Sequence, residues 1–143
     1  MTAQRAALRI SMLAALGACT SGGAIDDIDY RVTGGLDGDG DGTALHVARD
    51  GAFTRQTRRG VTDRGTLDPA TFGELLDKVR AAEFPELGPS YPCGACGDDY
   101  IHDLTVQIDG TAHQVMASAQ ATLPDRLAAV VEALRTIIEP PVP

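Results

Sequence analysis

Three cysteines, three histidines and a run of alternating aspartates are the residues of this 143-residue chain whose types and spacing could do chemistry. Cys93-Gly94-Ala95-Cys96 has the spacing of a thiol-disulfide redox site, and the same pair could supply two of the four ligands of a zinc ion. A reactive pair of this kind stands between a strand and a helix N-terminus, whose dipole stabilises the thiolate. After Cys96 the sequence reads as a strand, and Asp98 and Asp99 oppose ionisation of a nearby thiol because like charges repel. A structural disulfide is the favoured reading, with redox exchange and metal binding as its alternatives.

Zinc would need two further ligands, and His102 and His113 are the candidates. They flank Asp109-Gly110, a two-residue hairpin turn that opposes Val106 to His113 and His102 to Ala117. The two imidazoles then lie four residues apart along the strands, about 13 Å at the usual strand rise, too far for one tetrahedral ion. His102 shares parity with Tyr100 and Leu104, which predicts a partly buried, hydrogen-bonded side chain, whereas His46 is expected to face solvent.

Asp37-Gly38-Asp39-Gly40-Asp41-Gly42 resembles the opening of a calcium loop, with carboxylates at positions one, three and five and glycine at six. Position twelve should be glutamate and is Ala48, and strands replace the flanking helices. A flexible acidic hairpin loop is the default, with Asp37, Asp39 and Asp41 as weak calcium candidates and no other cofactor expected. Ser90 and Ser118 lack the elbow pattern of a nucleophile and have no base beside them in the expected registers, so no catalytic role is expected. No glycine-rich phosphate loop leads into a helix.

The N-terminus carries an address. Arg5 and Arg9 form a positive segment, Ile10 to Gly17 an apolar one too short to span a bilayer, and Leu16-Gly17-Ala18-Cys19 resembles a lipobox. That resemblance implies cleavage after residue 18 and lipidation of Cys19, hence a protein of the bacterial cell envelope, on the periplasmic face of the outer membrane or at the cell surface. Acyl chains would be the link to the membrane, since the chain carries a formal net charge of −8, with 20 acidic against 12 basic side chains, and loses Arg5 and Arg9 with the signal. The same acidity argues against nucleic acid as a partner. With Cys19 lipidated, Cys93 and Cys96 are the even pair expected of an oxidising compartment.

The elements that position these residues follow from periodicity. Residues 1–18 read as a signal, 19–27 as lipidated cysteine and tether, 28–139 as one domain and 140–143 as a tail. Ile28, Tyr30 and Val32 alternate with Asp29 and Arg31 as a strand with one buried face, and Thr43 to Ala48 resumes that pattern. Arg49-Asp50-Gly51 then closes a hairpin. A bulged three-residue loop with Gly51 left-handed opposes Val47 to Phe53 and keeps the apolar faces together, which a two-residue turn would not. Asp68-Pro69 starts a helix whose Phe72, Leu75, Leu76 and Val79 form one stripe and which ends near Phe84-Pro85. Tyr100 to Ile108 and Thr111 to Ala117 form the second hairpin, and Pro124 opens a helix carrying Leu127, Val130, Val131, Leu134, Ile137 and Ile138. The order β-β-β-α-β-β-α predicts an α+β fold, an antiparallel sheet of four to five strands with both helices on one face. Arg49, Arg55, Arg58, Arg59 and Arg64 read as the solvated charges of an edge strand, with contact to an acidic partner as the alternative.

Taken together, the mature segment resembles the protealysin inhibitor (emfourin) family. Gly34-Gly35-Leu36-Asp37-Gly38 is similar to that family's Gly-Gly-Phe-x-Gly segment, and Leu75, Ala82, Phe84 and Leu87 to its helix ending. Asp98 to Val106 is similar to its acidic residue and alternating strand, and Pro124 with Leu127 to the start of its last helix. The resemblance implies a non-catalytic protein-binding domain that inhibits a thermolysin-like metalloprotease, with Gly34, Gly35, Leu36 and Gly38 as the contact segment. Redox exchange through Cys93 and Cys96, or a calcium-responsive role, are the alternatives.

Overall fold

Alternating apolar residues give the first strand one face to bury, and the chain builds its sheet outward from it on both sides. The structure is a computed structural model that describes residues 22–34, 42–57, 60–97 and 99–139. The strands are Ile25–Gly34 (β1), Thr43–Ala48 (β2), Ala52–Gln56 (β3), Thr62–Thr66 (β4), Ser90–Tyr91 (β5), Tyr100–Ile108 (β6) and Thr111–Ser118 (β7). The helices are Pro69–Ala82 (α1) and Asp125–Ile138 (α2), and the fold is α+β. The strand order is β4-β3-β2-β1-β6-β7-β5, with β1 at the centre.

Two turns set the registers. Gly51, with φ of 82°, supplies the left-handed residue of the β2–β3 loop and opposes Val47 to Phe53. Asp109 and Gly110, with φ of 50° and 75°, form the tight β6–β7 turn and pair Val106 with His113 and His102 with Ala117. Asp68 caps α1, its Oδ2 accepting from the Thr71 hydroxyl at 2.6 Å and its Oδ1 from the Thr71 amide at 3.0 Å, and these hydrogen bonds hold its carboxyl below the ordinary aspartate range. Glu83 ends the helix in a left-handed conformation, followed by a single 3-10 turn at Phe84–Glu86.

Ile28, Tyr30, Leu45, Val47, Leu104 and Val106 from the sheet and Leu75, Val79, Leu127, Val130 and Leu134 from the helices share one buried cluster. Both helices thus serve one face of the sheet. The opposite face carries Asp29, Arg31, His46, Asp103 and Thr105 and is polar.

The sheet is larger than the four to five antiparallel strands expected, with seven strands, and it is mixed, because β5 runs parallel to β7. β4 reads Thr-Asp-Arg-Gly-Thr and carries no apolar alternation, since it is an edge strand whose inward positions are Asp63 and Gly65. Phe53 covers Gly65 from the neighbouring strand, close enough that a β-carbon there would meet its ring at 2.9 Å. β5 has two residues, too few for any period. β1 also begins at Ile25, inside the stretch read as tether. A register shift between Ile25 and Asp27 puts Ile25 out of phase with Ile28, which hides it from a strict two-residue period.

Candidate functional site

β1 ends, and β2 and β6 begin, at one end of the sheet. β1 ends at Gly34, directly opposite Tyr100 at the start of β6. Gly34 has φ of 103°, and a β-carbon on it would collide with the carbonyl oxygen of Asp99, so only glycine suits this crossing. On the other side of the same loop, a β-carbon on Gly42 would collide with the carbonyl oxygen of Val32. Of the expected contact segment Gly34 is described and serves the backbone. Gly35, Leu36 and Gly38, like the calcium candidates Asp37, Asp39 and Asp41 and the lipidation candidate Cys19, lie outside the described residues.

Cys93 and Cys96 are joined as a disulfide with Cα atoms 5.6 Å apart, in the loop that leads into β6. No helix follows them, so no helix dipole acts on either sulfur. Ser118 is buried, and its hydroxyl donates to Asp99 Oδ2 while its oxygen accepts from the Gln120 amide at 3.2 Å. The expectation that no base stands beside Ser118 is thereby corrected, because the β7 terminus turns back onto the residue preceding β6 and brings a carboxylate with it. Asp99 Oδ1 is buried without a hydrogen-bond partner among the described residues.

At this end of the sheet lies a cavity of about 310 Å³, bordered by Tyr30, Val32, Thr43, His102, Arg135 and Ile138 among others. Its floor is the pair Tyr30 and His102, from neighbouring strands, with the phenol oxygen 2.8 Å from imidazole Nδ1 and the ring planes within 9° of parallel. Tyr30 has no exposed surface and His102 only 9%. Burial pushes the Tyr30 hydroxyl well above the ordinary phenol range, with Glu132 and Glu139 adding to the shift and Arg135 opposing it. Burial likewise pushes the His102 imidazolium down, helped by Arg135 and opposed by Asp99. The pair is therefore neutral near pH 7. Arg135, on the exposed side of α2, is the cation at the rim.

The remaining candidates are dispersed. His113 opposes Val106, four positions along from His102. His46 is half exposed on the polar face, its Nδ1 3.0 Å from Asp29 Oδ1. Among the described residues no group of three or more His, Cys, Asp or Glu side chains is arranged to hold a metal. Of the arginines, Arg58 and Arg59 lie outside the described residues. Arg55 departs from the reading as a solvated edge charge. It is on an inner strand, bonds Asp63 at 2.8 Å, and donates at 2.8 Å to the carbonyl of Ile137 at the end of α2. Parity explains this, since Arg55 pairs with Leu45 and shares the helix-covered face.

Sequence reasoning missed Tyr30, Thr43 and Arg135 as members of one site. A tyrosine in the buried phase of a strand signals a need for a polar partner, but the partner is 72 residues away and is fixed only by the β1–β6 register. No protein-family profile matches the chain, and no curated protein matches its sequence.

Proposed function

We propose that this chain is a lipid-anchored protein of the bacterial envelope whose domain binds another protein through the loop end of its sheet, with no covalent chemistry of its own. The sharpest form of this reading is inhibition of a thermolysin-like metalloprotease by the segment containing Gly34, Gly35, Leu36 and Gly38. The observation that carries it is the pairing of Gly34 with Tyr100, which puts the first residue of the glycine-rich segment at the end of the sheet where β6 begins, shortly after the Cys93–Cys96 bridge in the chain. Binding residues are commonly presented in this way, on loops held by regular structure. The lipobox-like Leu16-Gly17-Ala18-Cys19 supports the anchor, and a bridged cysteine pair suits an oxidising compartment.

The test is hydrolysis of a peptide substrate by thermolysin-like proteases in the presence of residues 20–143, with and without Gly35→Arg. Dose-dependent inhibition that the substitution weakens is expected. Full protease activity at every concentration, across several such enzymes, would remove the inhibitor reading.

A further inference from the structure

The cavity at the Gly34–Tyr100 end of the sheet has polar groups on its floor that the protein itself does not use. Thr43 is 5% exposed and His102 9%, and both border the cavity. Neither Thr43 Oγ1 nor His102 Nε2 has a hydrogen-bond partner among the described residues, and neither is sealed away from the cavity space. Buried polar groups are normally satisfied, so two unused groups facing one space call for an occupant, water or ligand.

The hydrogen-bond network settles which way they point. The Tyr30 phenol is fully buried and keeps its proton, and imidazole Nδ1 is its partner at 2.8 Å. Were Nδ1 to carry the imidazole proton, the phenol O–H, on a side chain with no exposed surface, would have no acceptor among the described residues, and a buried donor left unpaired is costly. The phenol therefore donates to Nδ1, and the imidazole proton sits on Nε2, where it is a free donor toward the cavity. The Thr43 hydroxyl is a second donor, and the Arg135 guanidinium at the rim adds positive charge and further N–H groups. Val32, Ala119 and Ile138 supply apolar wall. Three carboxylates are near, and one of them, Asp99, acts on His102 and accepts from the Ser118 hydroxyl through Oδ2. Of the other two, Glu139, the residue after α2, borders the cavity, and Glu132 lies 3.5 Å from Arg135; both side chains are exposed to solvent, which screens their charge.

We propose that this cavity is a carboxylate-binding site, taking the acid group of a small organic acid or of a peptide C-terminus together with one short apolar side chain. The acid oxygens would accept from His102 Nε2, Thr43 Oγ1 and Arg135, and the apolar tail would lie against Val32 and Ile138. A volume of about 310 Å³ is at the small end of ligand pockets, which suits a ligand of this size. The cavity would bind it whether or not the Gly34 to Gly38 segment engages a protein, so loss of protease inhibition and loss of acid binding are separate results.

The experiment is calorimetric titration of the purified full-length chain with 3-methylbutanoate and with N-acetyl-leucine, each against its neutral amide, while nitrogen NMR follows the His102 imidazole. Each acid is expected to bind at least about tenfold more tightly than its amide, about 1.4 kcal/mol, and to shift the Nε2 resonance. Thr43→Val and Arg135→Met should each weaken the acid while leaving the melting temperature close to that of the parent chain. Tighter binding of N-acetyl-leucine would assign the peptide C-terminus, and tighter binding of 3-methylbutanoate the free acid. Equal affinity for acid and amide, no binding up to the solubility limit, or indifference to both substitutions would overturn the proposal.

Discussion

Tyr30→Phe removes one oxygen from the floor of the cavity and leaves the ring in place, so its cost isolates the hydrogen bond to His102. The bond is 2.8 Å long, between a side chain with no exposed surface and one with 9%. The variant therefore loses the net worth of a hydrogen bond and strands a buried imidazole nitrogen, together about 2 kcal/mol. In urea denaturation, with a slope of about 1.5 kcal/mol/M for a domain of this size, the midpoint should fall by about 1.3 M with the slope unchanged. His102→Leu should cost a similar amount by stranding the phenol. The double variant should recover part of the loss, with a coupling energy of about 1 kcal/mol or more. Midpoints unchanged in Tyr30→Phe, or costs of the two single substitutions that simply add, would refute the account of the pair as a mutually satisfied unit.

Other consequences can be measured in the same way. His102 is pushed down by burial and by Arg135, so the unfolded chain takes up its proton first as pH falls. Its contribution to stability is then full above about pH 6.5 and declines below it by at most about 1.4 kcal/mol per pH unit, levelling once the folded imidazole also protonates. Urea midpoints between pH 7.5 and 5 should show this decline, and His102→Gln should flatten it. Leu134 is completely buried between the helices and the sheet, and Leu134→Ala should cost about 2 to 5 kcal/mol in the same assay. Arg55→Met keeps the aliphatic stem but releases Asp63 and the Ile137 carbonyl. It should raise amide exchange at the end of α2 while leaving exchange in α1 unchanged. The Cys93–Cys96 bridge closes a very short loop, so Cys93→Ser with Cys96→Ser should cost no more than about 2 kcal/mol and leave the circular dichroism of the fold intact.

The parts of this fold legible in the sequence are those governed by local chemistry. Gly51 and the Asp109-Gly110 turn each admit one hairpin geometry that keeps the apolar faces together, and Val47 pairs with Phe53 and Val106 with His113 accordingly. Asp68 followed by proline starts α1 where capping chemistry requires. β4 escaped because Gly65 carries no side chain of its own and borrows its cover from Phe53, and β5 because two residues hold no period. Arg55 looked like a surface charge until its strand was found inside the sheet, under the end of α2. The cavity was invisible for the same reason. Tyr30, Thr43, His102 and Arg135 come from four elements, and nothing in their spacing along the chain brings them together.

The central place of β1 has a mechanical meaning. Its N-terminal end is tied down at and just before its first residues: the Ala24 carbonyl accepts from the Asp109 amide at 2.9 Å, the Ala24 amide donates to Asp109 Oδ1 at 2.9 Å, and Asp26 Oδ2 accepts from the Gly110 amide at 2.9 Å. Beyond that clasp β1 is zipped on both flanks, to β2 and to β6. A pull arriving through residue 22 would run along the strand axis and strain both ladders at once in shear, instead of peeling them bond by bond. Whatever tugs on the leading end of this domain meets its central strand lengthwise, and the rate of forced unfolding should be set by the simultaneous rupture of those ladders.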